Sequence, residues 1–249
     1  MKLYFTDTET TGFNHDVDRI TEIAGVIWDT EKRQVLEILS ELIKGDTPQI
    51  SEEITTITGI DQDMLDKHGA DKSQVLFRFH EMASKCEAIV AHNAPFDKGF
   101  IDKAMMSVDS TEMVWDVNKH WIDTQTDIPY PPNIKTRGLN HLLADHGINP
   151  NTFAHRALFD TFKTIELFDK YNASEIYTLS TSPMVRVVAN CLPPWDDPKP
   201  KKDTDVVKAA GFRWDGEAKK WYTECRQSTV ASLSQIEGMS NIRLIATRI

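Results

Sequence analysis

The run Asp7-Thr8-Glu9 sets two carboxylates two residues apart at the end of a strand-like segment, 2–6. Side chains alternate along a strand, so both acids emerge on one face, one pleat apart. Acids so placed chelate a hard divalent cation such as Mg²⁺ or Mn²⁺, although the same pair also occurs at solvated strand ends. A third acid, Asp97, closes the run Ala91-His92-Asn93-Ala94-Pro95-Phe96-Asp97. Proline fits the first turn of a helix, which puts Asp97 where the helix dipole favours an acid in any protein. In His155-Arg156-Ala157-Leu158-Phe159-Asp160 the pattern predicts a helix that buries Leu158, Phe162 and Ile165 and turns Asp160 away from that stripe. Five residues span about 140° on a helix, so His155 and Asp160 converge only if His155 stands on the entering loop. A histidine there, beside a fixed acid, suits proton transfer next to a metal ligand.

These fragments need a scaffold. Segments 2–6, 20–28 and 34–43 read as strands and suggest an antiparallel meander, because they are β-branched or alternately apolar. Helices come next, near 51–57, 61–67 and 73–85, the last with Val75, Leu76, Phe79 and Met82 at helical spacing. Then come a buried strand at 87–91, a helix at 95–107, a strand near 121–125, and helices near 138–146, ended by Gly147, and 156–171. The expected fold is α/β: a mixed sheet, part antiparallel meander and part parallel strands, flanked by helices. The Pro-broken stretch 126–137 reads as a loop of the kind that edges a substrate groove.

Residues 192–203, LPPWDDPKPKKD, read as a semi-rigid linker, or as a long loop if strand 184–190 pairs with the module beyond. That module offers a helix at 204–210, a hairpin signal at Asp215-Gly216, a helix at 228–236 and a strand at 241–247. The expected domains are 1–178 and a small α+β accessory module, 184–249.

The chain has 249 residues and a net charge of −10, which at first argues against a polyanionic partner. The distribution of charge weakens that objection. Residues 1–183 hold 17 basic and 30 acidic side chains (net −13), and 184–249 hold 11 and 8 (net +3). An enzyme that gathers carboxylates around cations tolerates such a front half. The three cysteines are odd in number and far apart, which suits free thiols. No apolar run approaches membrane-spanning length and the N-terminus lacks a signal-peptide core, so a cytoplasmic protein with no membrane partner is expected.

Taken together, the three acidic segments resemble the motifs of the DEDDh 3′→5′ exonucleases of the ribonuclease H-like superfamily. That group includes polymerase proofreading subunits, exonuclease X, ribonuclease T and the three-prime repair exonucleases. Asp7 to Gly12 is similar to the first motif, Ala91 to Asp97 to the second and His155 to Asp160 to the third, with lesser matches at Ile57-Thr58-Gly59-Ile60 and Ile122-Asp123-Thr124. The likeness covers residues 1 to about 172. It implies a ribonuclease H-like fold and a two-metal site in which Asp7, Glu9, Asp97 and Asp160 hold two Mg²⁺, with Mn²⁺ as a substitute, and His155 is the general base.

The resemblance also implies a nucleic-acid partner, with single-stranded 3′ ends foremost, and a polymerase or repair protein as a candidate partner. Phe13, just after the first-motif glycine, would wedge against the terminal base, or else cap the core. Ile57 is a second candidate wedge, and Thr10 belongs to the same substrate-binding set. His92 and Asn93 either position the terminal nucleotide or cap the helix that begins at Pro95. Asp123 matches a family position that is structural.

The tail residues Arg213, Trp214, Lys219, Lys220, Trp221 and Tyr222 either form a stacking platform for single strands or supply the core of a small module. DNA is the leading substrate and RNA the alternative, since the motifs do not distinguish the sugar. A non-catalytic nucleic-acid-binding or polymerase-associated subunit is disfavoured, because a mere scaffold has no need of mutually repelling acids. A Mg²⁺-dependent phosphatase is disfavoured by the lack of a phosphate-cradling Gly-rich loop.

Overall fold

A computed structural model describes residues 1–44, 49–108, 113–131, 134, 136–150, 156–197 and 202–249. The chain divides into two compact units, one of residues 1–125 and 138–173, the other of 126–137 and 174–249.

The first unit is built on strands β1 (Lys2–Thr10), β2 (Ile20–Asp29) and β3 (Gln34–Lys44). They pair antiparallel in the order of the sequence, with Phe5 opposite Val26 and Glu9 opposite Glu22. After helices α1 (Glu52–Thr58) and α2 (Gln62–His68), a two-residue strand β4 (Ala70–Asp71) joins the free edge of β3. Helix α3 (Lys72–Ser84) leads to β5 (Ala88–Ala91), which pairs parallel to β1, and helix α4 (Ala94–Met106) precedes β6 (Trp121–Asp123), parallel to β5. Among the described residues the sheet therefore runs β4-β3-β2-β1-β5-β6, part meander and part parallel. Helices α5 (Leu139–Asp145) and α6 (Ala157–Phe168) close the unit.

The alternation of β1 decides where everything sits. Tyr4 points to one face of the sheet and meets Phe79 of α3 edge-on at 4.9 Å. It joins a core that includes Phe100 and Ile101 of α4. Phe5 points to the other face and meets Phe168 of α6 at 5.2 Å. By the same period of two, Asp7 and Glu9 continue the α6 side, and Thr8 continues the α3 and α4 side. The buried face of α6 carries Ala157, Thr161, Thr164, Ile165 and Phe168. The stripe expected from apolarity, Leu158, Phe162 and Ile165, is corrected to this one: Leu158 and Phe162 are only half-buried. Thr161 can be buried because its hydroxyl donates to the Ala157 carbonyl at 2.7 Å, which leaves no unpaired polar atom.

The second unit contains helix α7 (Ala173–Ser180, whose first residue belongs to the first unit), strand β7 (Met184–Asn190), helix α8 (Lys202–Ala209), β8 (Arg213–Asp215), β9 (Lys220–Arg226), a one-turn helix α9 (Val230–Leu233) and β10 (Arg243–Arg248). Its strands form a second, antiparallel sheet in the order β10-β7-β9-β8. The hairpin signalled by Asp215-Gly216 is present as β8 and β9. The expected helix at 228–236 is one turn of 3-10 helix followed by the four residues of α9. Strand 184–190 pairs with β9, and the Trp221 indole donates to the Leu192 carbonyl at 3.1 Å, so the start of the Pro-rich stretch packs inside this unit. All three cysteines are free, and Cys86 is buried. No helix among the described residues is long and apolar enough to cross a membrane.

Candidate active site

Carboxylate oxygens of Asp7, Glu9 and Asp160 lie within 4.8 Å of one another. Asp7 and Glu9 come from the tip of β1, and Asp160 comes from the first turn of α6, where its backbone N–H donates to the Arg156 carbonyl at 3.1 Å. Asp97, in the first turn of α4, approaches the same strand from the other face and is 2% exposed. Thr8, between the two strand acids, donates its hydroxyl to Asp97 Oδ1 at 2.8 Å, and its backbone N–H also bonds the carboxylate.

Mutual repulsion is written into this cluster. The Asp7 carboxyl is held well above the usual carboxylate range, first by burial and then by the charges of Asp97, Glu9, Asp160 and Glu22. Glu9 is pushed up to about 8 by burial and the charges of Asp160 and Glu22. Asp97 is pushed up to about 7 by burial, against the pull of the Thr8 hydrogen bonds. Hard oxygen donors gathered so closely, and costly to ionise together, fit a divalent cation.

Two residues absent from the sequence-derived set complete the framework. Glu22 stands directly across from Glu9 on β2 and is 2% exposed. Its carboxylate takes a two-pronged bond from Arg156, with Nη2 at 2.6 Å and Nε at 3.0 Å, and accepts the Ala157 backbone N–H at 3.0 Å. The clamp fixes the start of α6, one turn before Asp160. An acid inside the apolar strand ITEIAGVIW was the available signal, since a buried carboxylate requires a partner. Its partner, Arg156, lies 134 residues away and is not recoverable from spacing.

His155 lies outside the described residues. Of the candidate substrate-binding residues, Phe13 is 84% exposed, which removes the core-capping alternative, and lies 6.2 Å from the Phe96 ring. Its loop is pinned by Asp18, whose carboxylate accepts from the Thr11 hydroxyl and the Asn14 backbone N–H. A Cβ at Gly12 would come within 2.5 Å of the Asp18 carboxylate, so a larger residue there would displace that pin. Thr10 is buried and its hydroxyl donates to the Gly12 carbonyl at 2.6 Å. Ile57, on α1, is 43% exposed.

His92 Nδ1 lies 2.9 Å from the Thr124 hydroxyl. Asn93 stands at the N-cap of α4 with a positive φ of 67° and makes no side-chain cap bond, so capping is not its part. Asp123 accepts its backbone N–H at 3.0 Å and that of Gln125 at 2.9 Å, and its charge adds to burial in raising the pKa of Asp97.

A mixed sheet of this order, part antiparallel meander and part parallel, flanked by helices, is the ribonuclease H-like fold. The family model described as Exonuclease (RNase_T) matches residues 4–168, and the chain belongs to that family. The DNA polymerase III PolC-type of Staphylococcus haemolyticus is 33% identical over 169 residues, 66% of this chain but 11% of the polymerase. Thus this chain spans about a tenth of the length of the curated relatives it matches. Exonuclease X, solved in complex with 5′-overhanging duplex DNA, superposes with a TM-score of 0.52 at 23% identity, over 72% of this chain and 99% of that one. The nuclease domain of 3′hExo, a DEDDh family member bound to rAMP, gives 0.57 at 17% identity, over 68% and 90%. At these identities the structural likeness is one of fold.

Proposed function

We propose that the chain is a metal-dependent 3′→5′ exonuclease that hydrolyses phosphodiester bonds from the 3′ end of DNA and releases nucleoside 5′-monophosphates. The observation that carries this reading is the convergence of Asp7, Glu9 and Asp160 within 4.8 Å, with Asp97 held against the same strand by Thr8. Asp7, Glu9, Asp97 and Asp160 would hold two Mg²⁺ ions. Such ions make water acidic enough to attack at neutral pH and stabilise the oxygens of an in-line displacement.

The chain's own groups do the rest. Glu22 and Arg156 set the start of α6 and with it the direction of Asp160. Thr8 holds Asp97 in register with the strand acids. His155, one residue before that clamped start, is assigned the proton of the attacking water. Phe13 is the stacking surface for the terminal base, and His92, Asn93, Thr10 and Ile57 line the approach of the terminal nucleotide. The DNA polymerase relative and the DNA-bound exonuclease X support a DNA substrate.

The rAMP in the 3′hExo structure favours a second reading, a 3′→5′ exoribonuclease. Parallel time courses on single-stranded DNA, duplex DNA and RNA, in Mg²⁺, Mn²⁺ or EDTA, decide between them. DNA shortened faster than RNA, and only with metal, is the expected result. Faster RNA loss selects the second reading, and no metal-dependent cleavage of any polymer rejects both.

A further inference from the structure

In the second unit, Val185, Val187 and Ala189 of β7 and Trp221 of β9 are buried together with Val207 and Phe212. The alternate residues face the other way. Across this opposite face the register sets Ile245, Val188, Tyr222 and Arg213 in one row. The expectation of a platform made of Trp214, Trp221 and Tyr222 is thereby divided. Trp221 is core and Trp214 packs edge-on against it at 5.5 Å, whereas Tyr222 alone belongs to the open face.

Tyr222 is flanked by guanidinium groups, Arg186 at 3.9 Å and Arg213 at 5.4 Å from its ring centre. Arg213, Lys220 and Arg243 are exposed, and Arg186 and Tyr222 are half-buried. Besides Arg226, which is bound to Asp127, four cations, Arg186, Arg213, Lys220 and Arg243, thus share the face with two acids. Of these, Asp215 is already bound to Arg186 and to the backbone N–H groups of Glu217 and Ala218, and Glu224 is exposed. In a protein of net charge −10, a cation-rich sheet face is where a polyanion lands. The Tyr222 ring holds these guanidiniums in place by cation–π contact, and the plane of the exposed Arg213 offers a flat surface to an unpaired base, which a duplex keeps stacked inside.

We infer that the open face of the β10-β7-β9-β8 sheet binds single-stranded DNA, the class of polymer assigned to the catalytic unit. This surface rests on the exonuclease reading for its occupant, but its binding is separable from cleavage.

The test uses the full chain in EDTA, where cleavage is absent and the bare acidic site repels the strand, with a fluorescent single-stranded DNA followed by anisotropy. Arg213→Glu with Arg243→Glu, both exposed and outside the Arg186 to Asp215 pair, is expected to weaken binding at least tenfold. Loss of two phosphate contacts should also reduce the slope of log K against log salt by about 1.4, at roughly 0.7 per phosphate for a single strand. Hydrolysis of a small phosphodiester, thymidine 5′-(p-nitrophenyl phosphate), in Mg²⁺ and the circular dichroism spectrum should both stay unchanged. The milder Arg213→Gln with Arg243→Gln should give a smaller loss in the same direction. Unaltered affinity and salt slope in a folded variant overturn the inference, as does tighter binding of duplex DNA or of RNA than of single-stranded DNA. Failure of the exonuclease reading would instead show as absent cleavage in Mg²⁺ with this binding intact.

Discussion

Thr8 and Asp97, 89 residues apart, are joined by a 2.8 Å hydrogen bond from the threonine hydroxyl to the carboxylate. Thr8 stands between Asp7 and Glu9 but points to the opposite face of the sheet, so one strand tip addresses acids on both sides. The bond keeps α4 in register with β1 and lets a buried carboxylate remain ionisable. Thr8→Val keeps the shape and removes the donor. Its activity at limiting Mg²⁺ should fall by about 10–100-fold, the usual scale for losing a partner of a metal ligand, and should recover in part as Mg²⁺ is raised. A metal titration of initial rates checks this; an unchanged half-saturating Mg²⁺ concentration would show that the bond is only structural.

The clamp of Glu22 on Arg156 and Ala157 makes a separate claim. Glu22→Gln retains an acceptor for the Ala157 N–H but loses the ion pair. We expect kcat to fall by about 10–100-fold with KM for DNA little changed, since positioning of Asp160 rather than strand binding is affected. Arg156→Lys, which cannot bond in two prongs, should behave alike. A rise in KM alone would contradict a positioning role.

Phe13 touches little of its own protein, being 84% exposed. Phe13→Ala should therefore leave stability within about 0.5 kcal/mol of the parent. Stacking on a base is worth about 1–3 kcal/mol, so kcat/KM on single-stranded DNA should drop by roughly 5–150-fold. Thermal melting and steady-state kinetics on the same preparation separate the two effects.

Burial of the acids, with repulsion adding to it, gives the metal-free protein a particular pH dependence. Glu9 in the folded chain holds its proton up to about pH 8, and Asp97 up to about 7, whereas in the unfolded chain both release it in the ordinary carboxylate range. The native state thus binds more protons between roughly pH 4 and pH 8, and stability must fall as pH rises through that window. Addition of Mg²⁺ should raise Tm more at pH 8 than at pH 5. A change of 1 kcal/mol moves Tm by about 2–4 °C at this size, which scanning calorimetry resolves. Stability that climbs with pH in EDTA would refute the arrangement.

How much of the fold and site is legible in the sequence depends on the kind of information each residue needs. Asp7 and Glu9 could be placed on one face because a period of two is local, and the start of α4 near Pro95 comes from one residue's geometry. Glu22 opposite Glu9 depends on strand register, and its bond to Arg156 on a contact 134 residues long, neither of which is carried by any short stretch. On α6 the burial of Thr161 and Thr164 was hidden because apolarity stood in for burial, while the threonine hydroxyl found its acceptor within the helix. Helix α7, with sequence ASEIYTLS, buries Ile176 and Ser180, so half of its inward pair is polar and did not stand out. The tail aromatics Trp221 and Tyr222 are adjacent on one strand and so face opposite ways, but which of them enters the core depends on how β9 pairs with β7 and β8.

The central claim is that the acids around Asp7 hydrolyse a strand from its 3′ end. A time course on single-stranded DNA labelled at its 5′ end, in Mg²⁺, with Asp7→Asn alongside, tests it most directly. The parent should give a ladder of steadily shortening labelled strands. Asp7→Asn should be slower by at least about 10²–10³-fold, the scale of losing one transition-state electrostatic contact, while melting no earlier than the parent in EDTA because a buried acid that is costly to ionise is gone. Immediate release of the label as a mononucleotide, or an Asp7→Asn protein as fast as the parent, would contradict the account.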